Sequence, residues 1–181
     1  LYKKENMMKN TGLFLKAVVA IGVLFVVAGV MVTGAGFYIN GFVGDQLAAQ
    51  NITTPADASI PNAEVNSIPT ALSMADIIQQ HAANSSNGLS YAQMGRFAVE
   101  GGDPAGTNNS EEALLDAAGK PVANAARNTQ LTAAGLVTSL SLSAMALGAS
   151  YGAIALGLAF VVLGIVVAGL GYALKGLVAP E

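Results

Sequence analysis

AVVAIGVLFVVAGVMVTGAGFYI, residues 17–39, and GAIALGLAFVVLGIVVAGLG, residues 152–171, decide the fold. Neither carries a charge, and the second has no side chain more polar than alanine. As a helix the first would reach about 35 Å, against a bilayer hydrocarbon core of about 30 Å. Tyr151 and Tyr172 frame the second about 32 Å apart, the interfacial placing typical of aromatic residues, and Lys16 and Tyr38 frame the first. A signal peptide has an apolar run of about 7–15 residues, so residues 17–39 read as a retained anchor. The uncharged run around the second stretch is longer still, Asn128–Leu174. A third crossing would need a turn at Gly148-Ala149-Ser150, which has neither proline nor charge, so two spans are expected.

The expected fold is therefore an all-α membrane protein: two transmembrane helices in an antiparallel hairpin, with a mostly helical and irregular exported insert. The expected divisions are a cytoplasmic N-terminus at 1–16, the first span at 17–39 and an acidic insert at 40–130. An extramembrane extension of the last helix follows at 131–150, then the second span at 151–174 and a cytoplasmic end at 175–181.

Composition agrees, because 53% of the 181 residues are apolar and 10% charged, against about 25% charged in soluble domains. Without cysteine there are no disulfides, no thiolate metal site and no cysteine lipidation. Lys3, Lys4, Lys9 and Lys16 precede the first stretch and Lys175 follows the second, whereas the segment between holds nine acids against Arg96, Lys120 and Arg127. By the positive-inside rule both ends are expected in the cytoplasm and the insert outside. No nucleic-acid partner is expected, the residues identify no small-molecule substrate, and no charge within the spans marks an ion path.

Gly22, Gly29 and Gly36 recur every seven residues, as do Gly157, Gly164 and Gly171, continued backwards by Ser150 and Ser143. Seven-residue spacing keeps small residues on one seam of a left-handed helix pair, where backbones can touch. These six glycines are the expected packing surface, with Gly29 and Gly164 as the test pair.

In the insert, Asn51 is expected to end the first helix, and Pro55, Pro61 and Pro69 make 52–69 a turn-rich connector. Short helices are expected at Met74–Ala83 behind Ser73, at Tyr91–Val99 behind Ser90 and at Glu111–Ala118 behind Ser110, with Pro121 opening the last long helix. Large apolar residues are few (Leu72, Ile77, Ile78, Met94, Leu114 and Leu115 among them), so the core is expected to be thin. Residues 131–149 would need a cover, and Leu136, Leu140 and Leu147 are the expected partner contacts.

The only histidine, His81, stands on a stripe with Met74, Ile77 and Ile78, where a packed, hydrogen-bonded role outweighs metal binding. The Asp103–Glu112 loop lacks the order of a calcium loop. Asn51-Ile-Thr, Asn84-Ser-Ser and Asn108-Asn-Ser match the glycosylation triplet, common by chance in such a segment. No catalytic, cofactor or metal residue is assigned.

The runs GDQLAAQNITTPADA (44–58), ADIIQQHA (75–82) and GLSYA (88–92) resemble an actinobacterial family of small two-span membrane proteins, often labelled automatically as aromatic ring-opening dioxygenases. The resemblance implies a bacterial plasma membrane and an exported domain. The activity label does not fit, since non-haem iron sites of the facial-triad type take two histidines and a carboxylate. The expected role is a non-catalytic accessory subunit of a larger membrane complex, with lipid and other integral membrane subunits as partners. An actinobacterial respiratory-chain supercomplex is a natural host. The alternative is a self-associating cell-envelope protein whose exported domain binds a ligand or wall component.

Overall fold

The computed structural model describes the backbone of residues 2–178 and the side chains of residues 11–177. The side chains of Lys3, Lys4 and Lys9, and the ends expected in the cytoplasm beyond 177, lie outside the described residues. The element order is α1 (Tyr2–Ala48), α2 (Ile68–Ser85), a 3-10 turn at Tyr91–Gln93, and α3 (Ala125–Val178). The described residues contain no strand, only isolated bridges such as Thr53 with Glu64 and Phe97 with Thr107. Two compact units result: Leu1–Phe42 with Leu147–Glu181, and Val43–Ala146.

The two apolar stretches lie in α1 and α3, which have 47 and 54 residues. Either helix exceeds the roughly 20 residues that cross a bilayer. Their most apolar windows are only 17% and 11% buried, whereas the core helix of a water-soluble protein would be mostly covered. They are compatible with a membrane location. α3 runs without interruption through Gly148-Ala149-Ser150.

In the unit Val43–Ala146, α1 ends at Ala48 and Asn51 takes the left-handed conformation (φ 51°), which asparagine tolerates better than most residues. The connector then folds back on itself around Thr54, which is 1% exposed. Its hydroxyl donates to Ile60 O at 2.5 Å and accepts from Ala63 N at 2.9 Å, while Val65 N donates to Ile52 O. Ser73 of α2 ties this loop down, because its buried Oγ accepts from Ile60 N and Ser59 Oγ, both at 2.9 Å.

Several elements of this unit differ from those expected of the sequence. α2 starts at Ile68 rather than Met74, because Ser67 and Thr70 form the reciprocal cap and Pro69 sits in the first turn, where its missing N–H is harmless. Ser73, expected as the cap, is instead core. The helix expected at Tyr91–Val99 is only the three-residue turn, since Phe97 exchanges backbone bonds with Thr107 and Ala98 N donates to Val122 O. The helix expected at Glu111–Ala118 is absent: Leu114 N donates to Ala98 O, and Asp116 Oδ1 accepts from Ala118 N and Lys120 N to shape a turn. Pro121 bridges to Leu115, and α3 begins four residues later. At 91–99 and 111–118 side-chain and cross-loop bonds offered the backbone a better partner than a short helix.

The core of this unit is made of small residues: Val65 and Ala71 are fully covered, and Ala75, Ala82, Ala133, Ser73 and Ser86 are nearly so. Of the large apolar residues of the insert, Ile77 and Met94 are buried, while Leu72, Leu114 and Leu115 are exposed. Asn124 is the polar centre. At 3% exposure, its Nδ2 donates to Gly95 O (3.1 Å) and Pro104 O (2.9 Å), and its Oδ1 accepts from Arg127 N in the manner of a helix N-cap. Beside it the Arg127 guanidinium lies 3.9 Å from the centre of the Tyr91 ring, a cation–π contact.

Replacing Asn124 by alanine strands two carbonyls and uncaps α3. The expected loss is about 1–3 kcal/mol of unfolding free energy for this unit, measured by denaturant melts followed by circular dichroism. Thr129→Ala, on an exposed hydroxyl that bonds only within its own helix, is the near-neutral control.

Candidate functional site

In the unit of Leu1–Phe42 and Leu147–Glu181, the buried residues among those described fall in two rows: Leu15, Gly22, Gly29 and Gly36 on α1, and Leu147, Ser150, Gly157, Gly164 and Gly171 on α3. All six glycines singled out by their spacing are in these rows. A Cβ on Gly29 would lie 2.5 Å from Gly157 O and 2.7 Å from Val161 N, and one on Gly164 would lie 2.5 Å from Gly22 O and 2.7 Å from Val26 N. One on Gly36 would lie 2.9 Å from Ser150 O, and one on Gly171 2.9 Å from Val19 Cγ2. Numbers rise along α1 as they fall along α3, so the helices are antiparallel where they touch. The test pair Gly29–Gly164 is thereby corrected: chain direction sets Gly29 against Gly157 and Gly22 against Gly164. Gly34, Gly41, Gly152 and Gly169 face open space.

Two further contacts supplement the seam. The Phe25 and Phe160 rings meet edge to face at 5.7 Å, and Asn40 Nδ2 donates to Ser150 Oγ at 3.0 Å. Ser150 is 1% exposed and its hydroxyl donates to Leu147 O. Sequence reasoning assigned Asn40 to the insert and so missed this link, although an asparagine at the end of an apolar run was the available signal.

The expected partner contacts divide. Leu136 is 47% exposed, but Leu140 and Leu147 are only 6% and 3% exposed and are covered by the chain itself, so they are not docking residues. On the same helix Leu131, Leu142 and Met145 are 56%, 64% and 71% exposed. The periodicity of α3 did not show which of its faces the rest of the chain would cover.

His81 is exposed rather than packed, and its Nε2 lies 2.7 Å from Asp57 Oδ2. That bond, with help from Asp57's own backbone N–H, holds the Asp57 carboxyl below the usual carboxylate range. Spacing could not reveal the pair, because the connector's folding brings the two residues together across 24 positions. His81 also borders a groove of about 400 Å³ with Asn128, Thr129 and Thr132, where Thr129 Oγ1 donates to Ala125 O. In the 103–112 loop the polar groups bind one another: Asp103 Oδ1 accepts from Ala105 N, and Glu112 accepts from Thr107 Oγ1 and Asn109 Nδ2. Among the described residues no three histidine or acidic side chains gather as a metal site.

No protein-family model, curated protein or solved structure matches the chain.

Gly29→Leu or Gly164→Leu drives a side chain into facing backbone, and each is expected to part the two helices. Gly34→Leu and Gly169→Leu, which meet nothing, are expected to be tolerated. Thermal melts in detergent and crosslinking between α1 and α3 measure the difference. For the exposed pair, Asp57 has a lowered folded pKa, so its contribution is present above the unfolded value and fades as pH falls through the folded one, below about pH 4. NMR titration of the carboxyl carbon should show its midpoint rising in His81→Ala.

Proposed function

We propose that this chain is a non-catalytic accessory subunit of a larger bacterial plasma-membrane complex. In this reading α1 and α3 cross the membrane as an antiparallel hairpin, both ends lie in the cytoplasm, and the Val43–Ala146 unit stands on the outer face. The lysine asymmetry supports the orientation, and the largely uncovered apolar windows of both helices support the placement in lipid. The resemblance to actinobacterial two-span proteins makes a respiratory-chain supercomplex the proposed host.

The observation that carries the reading is the bare face of α3 outside the apolar span. Leu131, Leu142 and Met145 are each more than half exposed, and with Gly135 and Thr138 they form one stripe at helical spacing. Water is a poor neighbour for such a stripe, and a partner subunit covers it at a gain of about 25 cal/mol per Å² buried. The polar groups of the 103–112 loop and Thr129 are occupied in local bonds, which supports a structural role.

Isolation from the native membrane in mild detergent, followed by native-size measurement and mass spectrometry, tests this. The expected result is co-purification with larger, unrelated membrane subunits at fixed stoichiometry. That association should be lost in the triple variant Leu131→Gln, Leu142→Gln, Met145→Gln, whose exposed positions leave the fold intact. Recovery as a monomer would overturn the reading, and recovery only with copies of itself would overturn it in favour of the self-associating envelope protein.

A further inference from the structure

The unit Val43–Ala146 holds a half-open cavity of about 450 Å³ between the end of α1, α2 and α3. This is within the roughly 300–1,000 Å³ of small-molecule sites. Its apolar walls are Leu47, Ile52, Met74, Ile78, Leu136 and Leu140, and no charged residue lines it although this segment is rich in acids. Two serines in the wall make few demands on a ligand: Ser139 Oγ donates to Gly135 O and Ser143 Oγ to Ser139 O, so their protons are spent within α3. A polar ligand would find no charge and no free hydroxyl proton there, whereas a hydrocarbon strands nothing. The remaining polar lining, Gln46 and Gln50, is exposed and supplies neutral amides.

We infer that this cavity is a binding site for one hydrocarbon chain of a membrane lipid, acyl or isoprenoid, with its neutral linkage at the two glutamines. The inference rests on the membrane placement proposed above. Leu47 comes eight residues after Ile39 in α1, and Ser143 eight before Tyr151 in α3, so both flanking helices lead directly from the apolar stretches into the lining. A lipid is thus the apolar molecule present at highest concentration near the site. The lack of a lining cation disfavours a free fatty acid, whose carboxylate would need one.

The test uses the full chain in nanodiscs of phosphatidylcholine and phosphatidylglycerol, doped with a phosphatidylcholine carrying a mid-chain photoreactive diazirine. After illumination, mass spectrometry should find adducts on Met74, Ile78 or Leu140 as well as on exposed residues of the apolar stretches such as Leu163 and Val166. Ile78→Trp fills the cavity and should reduce its adducts by roughly tenfold or more while those at Leu163 and Val166 persist. Leu136→Trp, at a half-exposed wall position that tolerates bulk, provides the same test should Ile78→Trp fail to fold. Adducts on the stretches alone, or cavity adducts unchanged in a folded tryptophan variant, would overturn the lipid site and leave the membrane placement standing. Adducts at neither place would overturn the placement and the site together. Cavity labelling in nanodiscs that vanishes in native membranes would assign the cavity to a partner's side chains and overturn the inference. A diazirine-bearing isoprenoid alcohol in a parallel experiment distinguishes the two chain types.

Discussion

Contact between bare backbones organises the membrane-compatible unit. Gly22, Gly29 and Gly36 meet Gly164, Gly157 and Ser150 with no room for a methyl group between them. In lipid, burial of apolar surface gives no advantage to helix pairing, so attraction comes from van der Waals contact, which requires close approach. Glycine permits that approach at the cost of helix propensity, about 1 kcal/mol per residue relative to alanine. The bulky residues, Leu24, Met31, Val162 and Ile165 among them, are left on the outside, a surface suited to hydrocarbon.

The Val43–Ala146 unit solves a different problem with similar residues. It has few large apolar side chains to bury, and it orders its loops through shared polar atoms: Thr54, Ser73, Ser86 and Asn124 are each buried and hydrogen-bonded. Gln130 extends the scheme by donating to Ser86 Oγ at 2.9 Å, linking α3 to the end of α2. Small side chains let the elements approach closely enough for such bonds. The large side chains left over lie partly on the surface, where Leu131, Leu142 and Met145 form the face proposed to meet another subunit.

What could be read from the sequence follows the range of the interaction concerned. The two long helices and the seven-residue glycine rows express a period within one element, and they were visible as such. The end of α1 near Asn51 was likewise a local signal. Ser90 and Ser110 gave equally local signals for helices that do not form, because Phe97 and Leu114 find backbone partners 10 and 16 positions away, at Thr107 and Ala98. Asp57 with His81, Asn40 with Ser150, and the covering of Leu140 all depend on distant segments meeting, and no spacing rule carries that information.

The link between Asn40 and Ser150 bears on register. A seam of identical small residues every seven positions fits its partner nearly as well after a slip of one heptad, so van der Waals contact alone leaves the alignment degenerate. A slip toward the C-terminal end of α3 would set Asn40 against Gly157, where no side chain can accept from its amide, and would leave Ser150 without the asparagine it now binds. One hydrogen bond at the end of the apolar run thereby disfavours that slip, as a single buried asparagine does in a coiled coil, whereas a slip the other way would offer Asn40 the hydroxyl of Ser143.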